Sequence, residues 1–483
     1  MGKKIKIIGI LAVLLLLMVL SLLMSCNGEN QGDNNLPGHS PSPSSLPSIT
    51  PSITPSPTPT AEVLLKWQRC YGGSGSEIAT FIRQTSDDGY IIAGYSNSNN
   101  ETNGDVTDNH GKYDFWILKL DNYGDIEWKK CLGGTENDKA HFSIQQTADG
   151  GYIVAGESAS NDGDILFDNN GGIDFWVIRL DSNGNPIWKK CYGGSGNEYA
   201  QSILQTSDGG YVIVGQANSS NGDVTKNNGG NDYWVVKIDG DGLIEWQGCY
   251  GGSGNEYPKC IRQTSDNGYI IVGHSDSNDI DVFGNHGGFD IWALKLSPPD
   301  PSSPETPPVI EWQRCIGGSL QDYAYSVYQN AKGEYLIAGH SNSIDGDIID
   351  NKGANDFLVL KLKTDGKLAW IKNFGGSNED YAQEIFKTDN GGSIITGWTN
   401  SNDGDVKGSL GNIDYWAVKI SSKGNIEWAR CFGGSGDDYG KSVAQTSDKG
   451  YVIAGYSFSI DLQVTGNHGD SDYWVIKMGN LPD

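Results

Sequence analysis

Of the 483 residues, 34 are Lys or Arg and 60 are Asp or Glu, a net charge of −26. That balance argues against nucleic acid or any other polyanion as a partner. The 67 glycines are about twice the usual share and announce frequent turns, while 14 tryptophans exclude a disordered chain.

The chain opens with Lys3, Lys4 and Lys6, then an apolar run over residues 7–24 that ends in Leu23-Met24-Ser25-Cys26. A basic start, an apolar stretch and a small residue before the cut mark a secretory signal. LMSC resembles the bacterial lipobox, which implies a signal peptide over 1–25 and a lipid on Cys26. An uncleaved membrane anchor is the competing reading, because the 18-residue run could just span a bilayer. Either way the rest of the chain is expected to be exported, and with the lipid it faces outward from the bacterial cell membrane. Residues 26–61 contain PSPSSLPSITPSITPSPTPT. They cannot build a core, and their prolines favour an extended spacer of about 3 Å per residue.

Residues 62–483 repeat one unit seven times. Trp67, Trp128, Trp188, Trp246, Trp312, Trp370 and Trp428 each begin a stretch such as WKKCYGGSGNEYA, at spacings of 61, 60, 58, 66, 58 and 58. The long spacing holds the insertion SPPDPSSPETPP. One unit contains four strand signals, at residues 200–206, 210–215, 232–239 and 243–250. All are rich in β-branched and aromatic residues and bounded by Gly, Asn and Asp. DG and NG between such runs are tight hairpin turns, and no segment sustains helical periodicity.

Four antiparallel strands per unit and seven units predict an all-β, seven-bladed β-propeller. The first unit starts at its fourth strand (63–70) and the last stops after its third (472–478), so the N-terminal strand is expected to close the ring. An open β-solenoid would not need complementary ends. Closure also protects sheet edges, and a monomer is expected. GGSGDDYGKSVAQTSDKGYVIAGYS at 433–457, followed by SDYWVIKM, resembles the bacterial β-propeller repeat family abbreviated SBBP. The resemblance covers residues 62–483 and implies this architecture in a cell-surface protein.

Within a blade, the tight turns join the first strand to the second and the third to the fourth. The longer connections therefore share the other face, where binding residues are expected. Three acidic positions recur there. The first is Glu77, Asp138, Glu198, Glu256, Asp322, Asp380 and Asp438. The second is Asp114, Asp174, Asp232, Asp290, Asp356, Asp414 and Asp472. The third is Asp105, Asp164, Asp223, Asp281, Asp347 and Asp405, with Gln463 in the seventh copy. The third set, in D-V-x-x-N-x-G-x-x-D, offers oxygens that suit calcium. The competing expectation is that each side chain caps its own loop, with no cofactor at all.

Cys70, Cys131, Cys191, Cys249, Cys315 and Cys431 follow the unit Trp by three, with Asn373 in the sixth copy. On outer strands, equivalent cysteines lie over ~10 Å apart, beyond disulfide reach. Only Cys249 and Cys260 are close enough in sequence to pair. The recurring tryptophans of the third and fourth strands are expected to pack between blades. The residue after the last Gly of the second strand varies instead: Tyr95, Glu157, Gln216, His274, His340, Trp398 and Tyr456. Since the fold does not dictate it, Tyr95, His274, His340, Trp398 and Tyr456 are the candidate ligand-binding residues.

Two function classes compete. A membrane-anchored, lectin-like module would bind a polysaccharide or a protein without chemistry. A secreted glycosidase would use two carboxylates. No Ser-His-Asp, HExxH or nucleotide-binding motif is present, and no carboxylate stands out as unique to one blade beside a matched partner. Binding is therefore favoured, and no catalytic residue is assigned.

Overall fold

Runs such as YIIAGYS (Tyr90–Ser96) and DFWILKL (Asp114–Leu120) lack the polar–apolar alternation of a half-buried strand. The reason is burial on both faces, which places almost every side chain of these second and third strands in the core. The computed structural model describes residues 65–99, 104–165 and 169–480. The expectations for the signal, for Cys26 and for the linker lie outside them. Seven four-stranded antiparallel sheets follow one another along the chain, and no helix occurs among the described residues. The protein is a seven-bladed β-propeller.

The first blade shows the pattern, running Glu77–Gln84, Tyr90–Ser96, Asp114–Leu120 and Ile126–Leu132 from the inside outward. The seventh blade joins Asp438–Gln445, Tyr451–Ser457 and Asp472–Met478 to the N-terminal strand Leu65–Tyr71. Cys70 lies opposite Trp474 in that register. The ring closes as expected.

The core is divided among the seams between blades. One cluster joins Tyr90, Ile92, Trp116 and Leu118 of the first blade to Val452, Ala454, Tyr473 and Val475 of the seventh. Trp116 meets Tyr473 with ring centroids 4.5 Å apart, and the Tyr473 hydroxyl donates to the Trp116 carbonyl at 2.9 Å. All six third-strand tryptophans are buried. Of the fourth-strand tryptophans only Trp246 is; the others are half-buried at the outer edge. There five of the six pack edge-on against a second-strand tyrosine of the next blade, as Trp67 does on Tyr90, while the blade after Trp370 has Ser393 in that place. The seven described cysteines are free thiols, Cys249 and Cys260 included.

Each tight turn between the first two strands needs one left-handed residue. Gly150, Gly209, Gly333 and Gly391 fill that position in four blades, and Asp88, Asn267 and Lys449 in three. A buried base on the third strand anchors the turn. Lys119 pairs with Asp87 at 2.9 Å, Lys237 with Asp208 at 3.2 Å, and Lys295 with Asp266 at 3.0 Å.

A candidate binding site on the propeller axis

The first two acidic sets are built into the scaffold. In the first blade, Gly73 N–H donates to Glu77 Oε2 at 2.7 Å, and the hydroxyls of Ser96 and Ser98 donate to Oε1 at 2.6 Å each. Glu77 is fully buried, as are its six counterparts. The aspartates that begin the third strands are fully buried too. One oxygen of each accepts a loop N–H, as Asp232 Oδ2 does from Asn228 at 2.6 Å. The other oxygen, Oδ1, has no hydrogen-bond partner in any of the seven. It lies toward the acid that begins the next blade, Glu256 in the case of Asp232. Burial, reinforced by that neighbouring acid, holds Asp174 and Asp232 up at about 7 and Asp290, Asp356 and Asp472 at about 6.

The third acidic set accepts backbone N–H groups. Asp223 Oδ2 takes Gly193 N–H at 3.1 Å, Asp164 takes Gly133 at 3.2 Å, and Asp281 and Asp405 take Gly251 and Gly375 at 3.3 Å each. In the seventh copy the neutral Gln463 accepts Gly433 N–H at 3.3 Å. Asp164 and Asp405 are also paired with Lys189 and Lys352. The backbone N–H groups of Asp105 and Asp347 bond to Gly72 and Gly317. Among the described residues no three His, Cys, Asp or Glu side chains converge as a metal site would require.

The variable residues line the inner ends of the blades. Their register places each opposite the second residue of the innermost strand: Tyr257 with His274, Tyr323 with His340, Tyr381 with Trp398, and Tyr439 with Tyr456. Ring contacts then continue from blade to blade. His274 meets Tyr323 at 4.4 Å, His340 meets Tyr381 at 4.1 Å, Trp398 stacks on Tyr381 at 4.2 Å and reaches Tyr439 at 5.5 Å. His274, His340, Trp398 and Tyr456 thus belong to one aromatic wall over the fourth to seventh blades. Tyr95 sits in the first blade with Tyr113, under the ammonium of Lys139.

Trp398, Tyr456 and Tyr95 are half-exposed, whereas His274 and His340 are 7% and 3% exposed. Burial depresses both imidazoles, His340 to about 3, so both are neutral at physiological pH. The histidines therefore back the wall, and the surface it offers is largely tyrosine. Tyr199, Tyr257, Tyr323, Tyr381 and Tyr439, on five consecutive blades, are half-exposed. Loop groups orient three of the phenols: Asn231 Nδ2 donates to Tyr257 at 3.4 Å, Asn355 Nδ2 to Tyr381 at 3.0 Å, and Tyr323 donates to Gln321 at 2.9 Å. The sequence reading passed over these tyrosines because a residue recurring across blades was assigned to packing.

A second variable position was missed as well. Every innermost strand carries a β-bulge after its third residue. In six blades the extra residue is Thr80, Gln201, Lys259, Tyr325, Gln383 or Lys441. A bulge re-aims the side chain it carries. It also explains the glycine that precedes the variable residue: a Cβ on Gly273 would run into the Tyr257 carbonyl oxygen. Variation in type, from Thr to Lys to Tyr, was the available signal.

Below this level the channel narrows to a space of about 10 Å³ among Phe81, Ser202, Lys259, Tyr325 and Glu384, room for one water. Glu384 of the sixth blade pairs with Arg83 of the first. It also accepts Ser442 Oγ at 2.6 Å and Val443 N–H at 2.9 Å from the seventh. A funnel of 630 Å³ then opens on the tight-turn face, lined by Arg83, Arg262, Lys387, Phe386 and a series of glutamines. The sequence places the expected binding residues on the opposite face. The glutamines of the funnel are clasps. Gln84, Gln146, Gln205, Gln263, Gln329 and Gln445 each accept a turn N–H of the preceding blade at 2.8–3.1 Å. The sixth blade has Lys387 at this register and makes no such bond to the fifth.

No protein-family model matches the chain, and no curated protein matches it. Among solved structures it is similar to the WD40 domain of Pan2 from Neurospora crassa (10% identity, 85% of this chain and 90% of that one, TM-score 0.45). It is also similar to BamB from Moraxella catarrhalis (11% identity, 86% and 99%, TM-score 0.40). A protein of unknown function from Bacteroides caccae matches at 12% identity over 66% and 90%, with a TM-score of 0.39. These likenesses concern the propeller fold alone.

Proposed function

We propose that this chain is an exported, lipid-anchored binding module of the SBBP kind that takes a carbohydrate on its axial aromatic wall, without catalysing a reaction. The observation that carries this reading is the run of half-exposed Tyr199, Tyr257, Tyr323, Tyr381 and Tyr439 on five consecutive blades, joined by Trp398 and Tyr456. Phenol and indole faces stack on sugar rings while their polar edges take hydroxyls. Amides already placed beside the phenols, at Asn231, Gln321 and Asn355, add donors and acceptors at the same level. Two of the three recurring acidic sets support binding over hydrolysis, since they are fully buried in the seams and offer nothing to a glycosidic bond. A protein ligand is the competing occupant.

Glycan and peptide arrays probed with the chain test this. Saccharide binding that falls about tenfold in Trp398→Ala is expected, in line with the loss of one stacked ring. Binding to peptides alone, or saccharide binding untouched by Trp398→Ala and Tyr381→Ala together, would remove the proposal.

A further inference from the structure

A chain of net charge −26 places three ammonium groups around the upper channel. Lys139 is neutralised there: it and His141 flank Glu157, with the imidazole 3.0 Å from that carboxylate. Lys259 and Lys441 are not. Both are bulge residues, on the fourth and seventh blades, aimed inward by the extra residue in the strand. Lys259 makes no hydrogen bond among the described residues and lies only over the Tyr325 ring, at 5.9 Å. Lys441 reaches Gln383 Oε1 at 3.5 Å and lies 5.8 Å from the Tyr456 ring. Burial brings each down to about 8, against the pull of Glu157 on Lys259 and with the charge of Lys259 adding to the effect on Lys441. Glu157, which attracts Lys259, is already engaged by His141 and Lys139, so two half-desolvated cations without a carboxylate in hydrogen-bond reach form an anion site.

The geometry points to an acidic saccharide as the ligand, its carboxylate or sulfate seated between Lys259 and Lys441 and its ring against the tyrosine wall. This rests on the carbohydrate reading above and names the class of sugar. Polarity is set from below, because Glu384 and Phe81 close the channel under Lys259. An anionic group enters from the loop-rich face and stops at the lysines.

The test compares a neutral oligosaccharide that ends in one galacturonate with its methyl ester, which keeps the sugar and removes the single charge. Titration calorimetry on the full chain is expected to give the acid an affinity at least about tenfold above that of the ester. The double variant Lys259→Met/Lys441→Met is expected to bind both alike, whereas Trp398→Ala weakens both by the same factor. Acid and ester bound equally by the wild-type chain would overturn the anion site and leave the carbohydrate reading standing. Should neither bind, the carbohydrate reading fails and sulfate decides the rest. At constant ionic strength, sodium sulfate is expected to raise the melting temperature of the wild-type chain but not of the double variant. Equal shifts in the two would overturn the anion site. In low salt the double variant is expected to melt no lower than wild type, which shows that it folds.

Discussion

Gln68 accepts the indole N–H of Trp474 at 2.9 Å, joining the first described strand to the last. The seventh blade is therefore complete only when both chain ends are present. Deleting residues 1–71 is expected to remove Trp67 from the seam with Tyr90 and bare the edge of the third strand. Loss of a packed Trp costs about 3–5 kcal/mol, so the melting temperature is expected to fall by roughly 5 °C or more, with aggregation in size-exclusion chromatography. A deletion protein as soluble and heat-stable as the parent would refute closure by this strand.

His340 and Trp398 occupy equivalent positions and are expected to respond differently. Trp398 is half-exposed, so Trp398→Ala is expected to weaken binding with little change in melting temperature. His340 is wedged among Tyr323, Tyr325 and Tyr381, and His340→Ala is expected to destabilise the fold as a core truncation does, by about 2 kcal/mol or more. Thermal melts of the two variants side by side check this; equal losses would place Trp398 in the core.

The buried acid pairs make stability depend on pH in a defined direction. The folded state holds protons on Asp174 and Asp232 up to about 7, and on Asp290, Asp356 and Asp472 up to about 6, whereas the unfolded chain releases them near 4. The folded state binds more protons at these five sites between those values, so their contribution to stability is fully present below about pH 4 and is lost as pH rises to 7. Asp232→Asn keeps an oxygen for the Asn228 N–H and turns an N–H toward Glu256. It is expected to flatten this slope and raise the melting temperature at pH 8. A slope of the same steepness in the variant would show that Asp232 does not titrate in this range.

Calcium is expected to have no effect on the melting temperature. Gln463 does with an amide oxygen what Asp223 and Asp405 do with carboxylates, so the position needs an acceptor and not a charge. Asp223→Asn should be nearly neutral. A drop in melting temperature on adding EDTA, restored by calcium, would show that these loops hold the ion.

Lipid on Cys26 is checked by metabolic labelling with a fatty acid in a bacterial host. Label is expected on the wild-type chain and absent from Cys26→Ala.

The architecture was legible because its signals are local. A Trp period near 60, a DG turn and a strand all lie within one unit, and complementary chain ends imply closure. The site was half legible. Variation after the second-strand glycine singled out His340 and Trp398 as candidate ligand residues, yet burial, which depends on the neighbouring blade, decides which of them presents a surface. Tyr381 and Tyr439 were hidden by their own recurrence, since a residue shared by many blades can pack and face a ligand at once. Lys259 and Lys441 needed the bulge, and a bulge is a mismatch of register between two strands that neither strand records alone.

The missing glutamine clasp sets the mechanics of the ring. Six seams are buttoned by a glutamine on the tight-turn face, and the seam between the fifth and sixth blades lacks that clasp and has instead a hydroxyl contact between Tyr328 and Ser393 at 2.7 Å. Local opening follows the least-bonded path, so amide exchange in the 331–333 turn should outpace that in the other six equivalent turns. On the opposite face the same seam is spanned by the His340–Tyr381 contact. A ligand lying across those two blades would act as a splint on the joint that lacks the clasp, and its arrival would be felt as rigidity on the far side of the molecule.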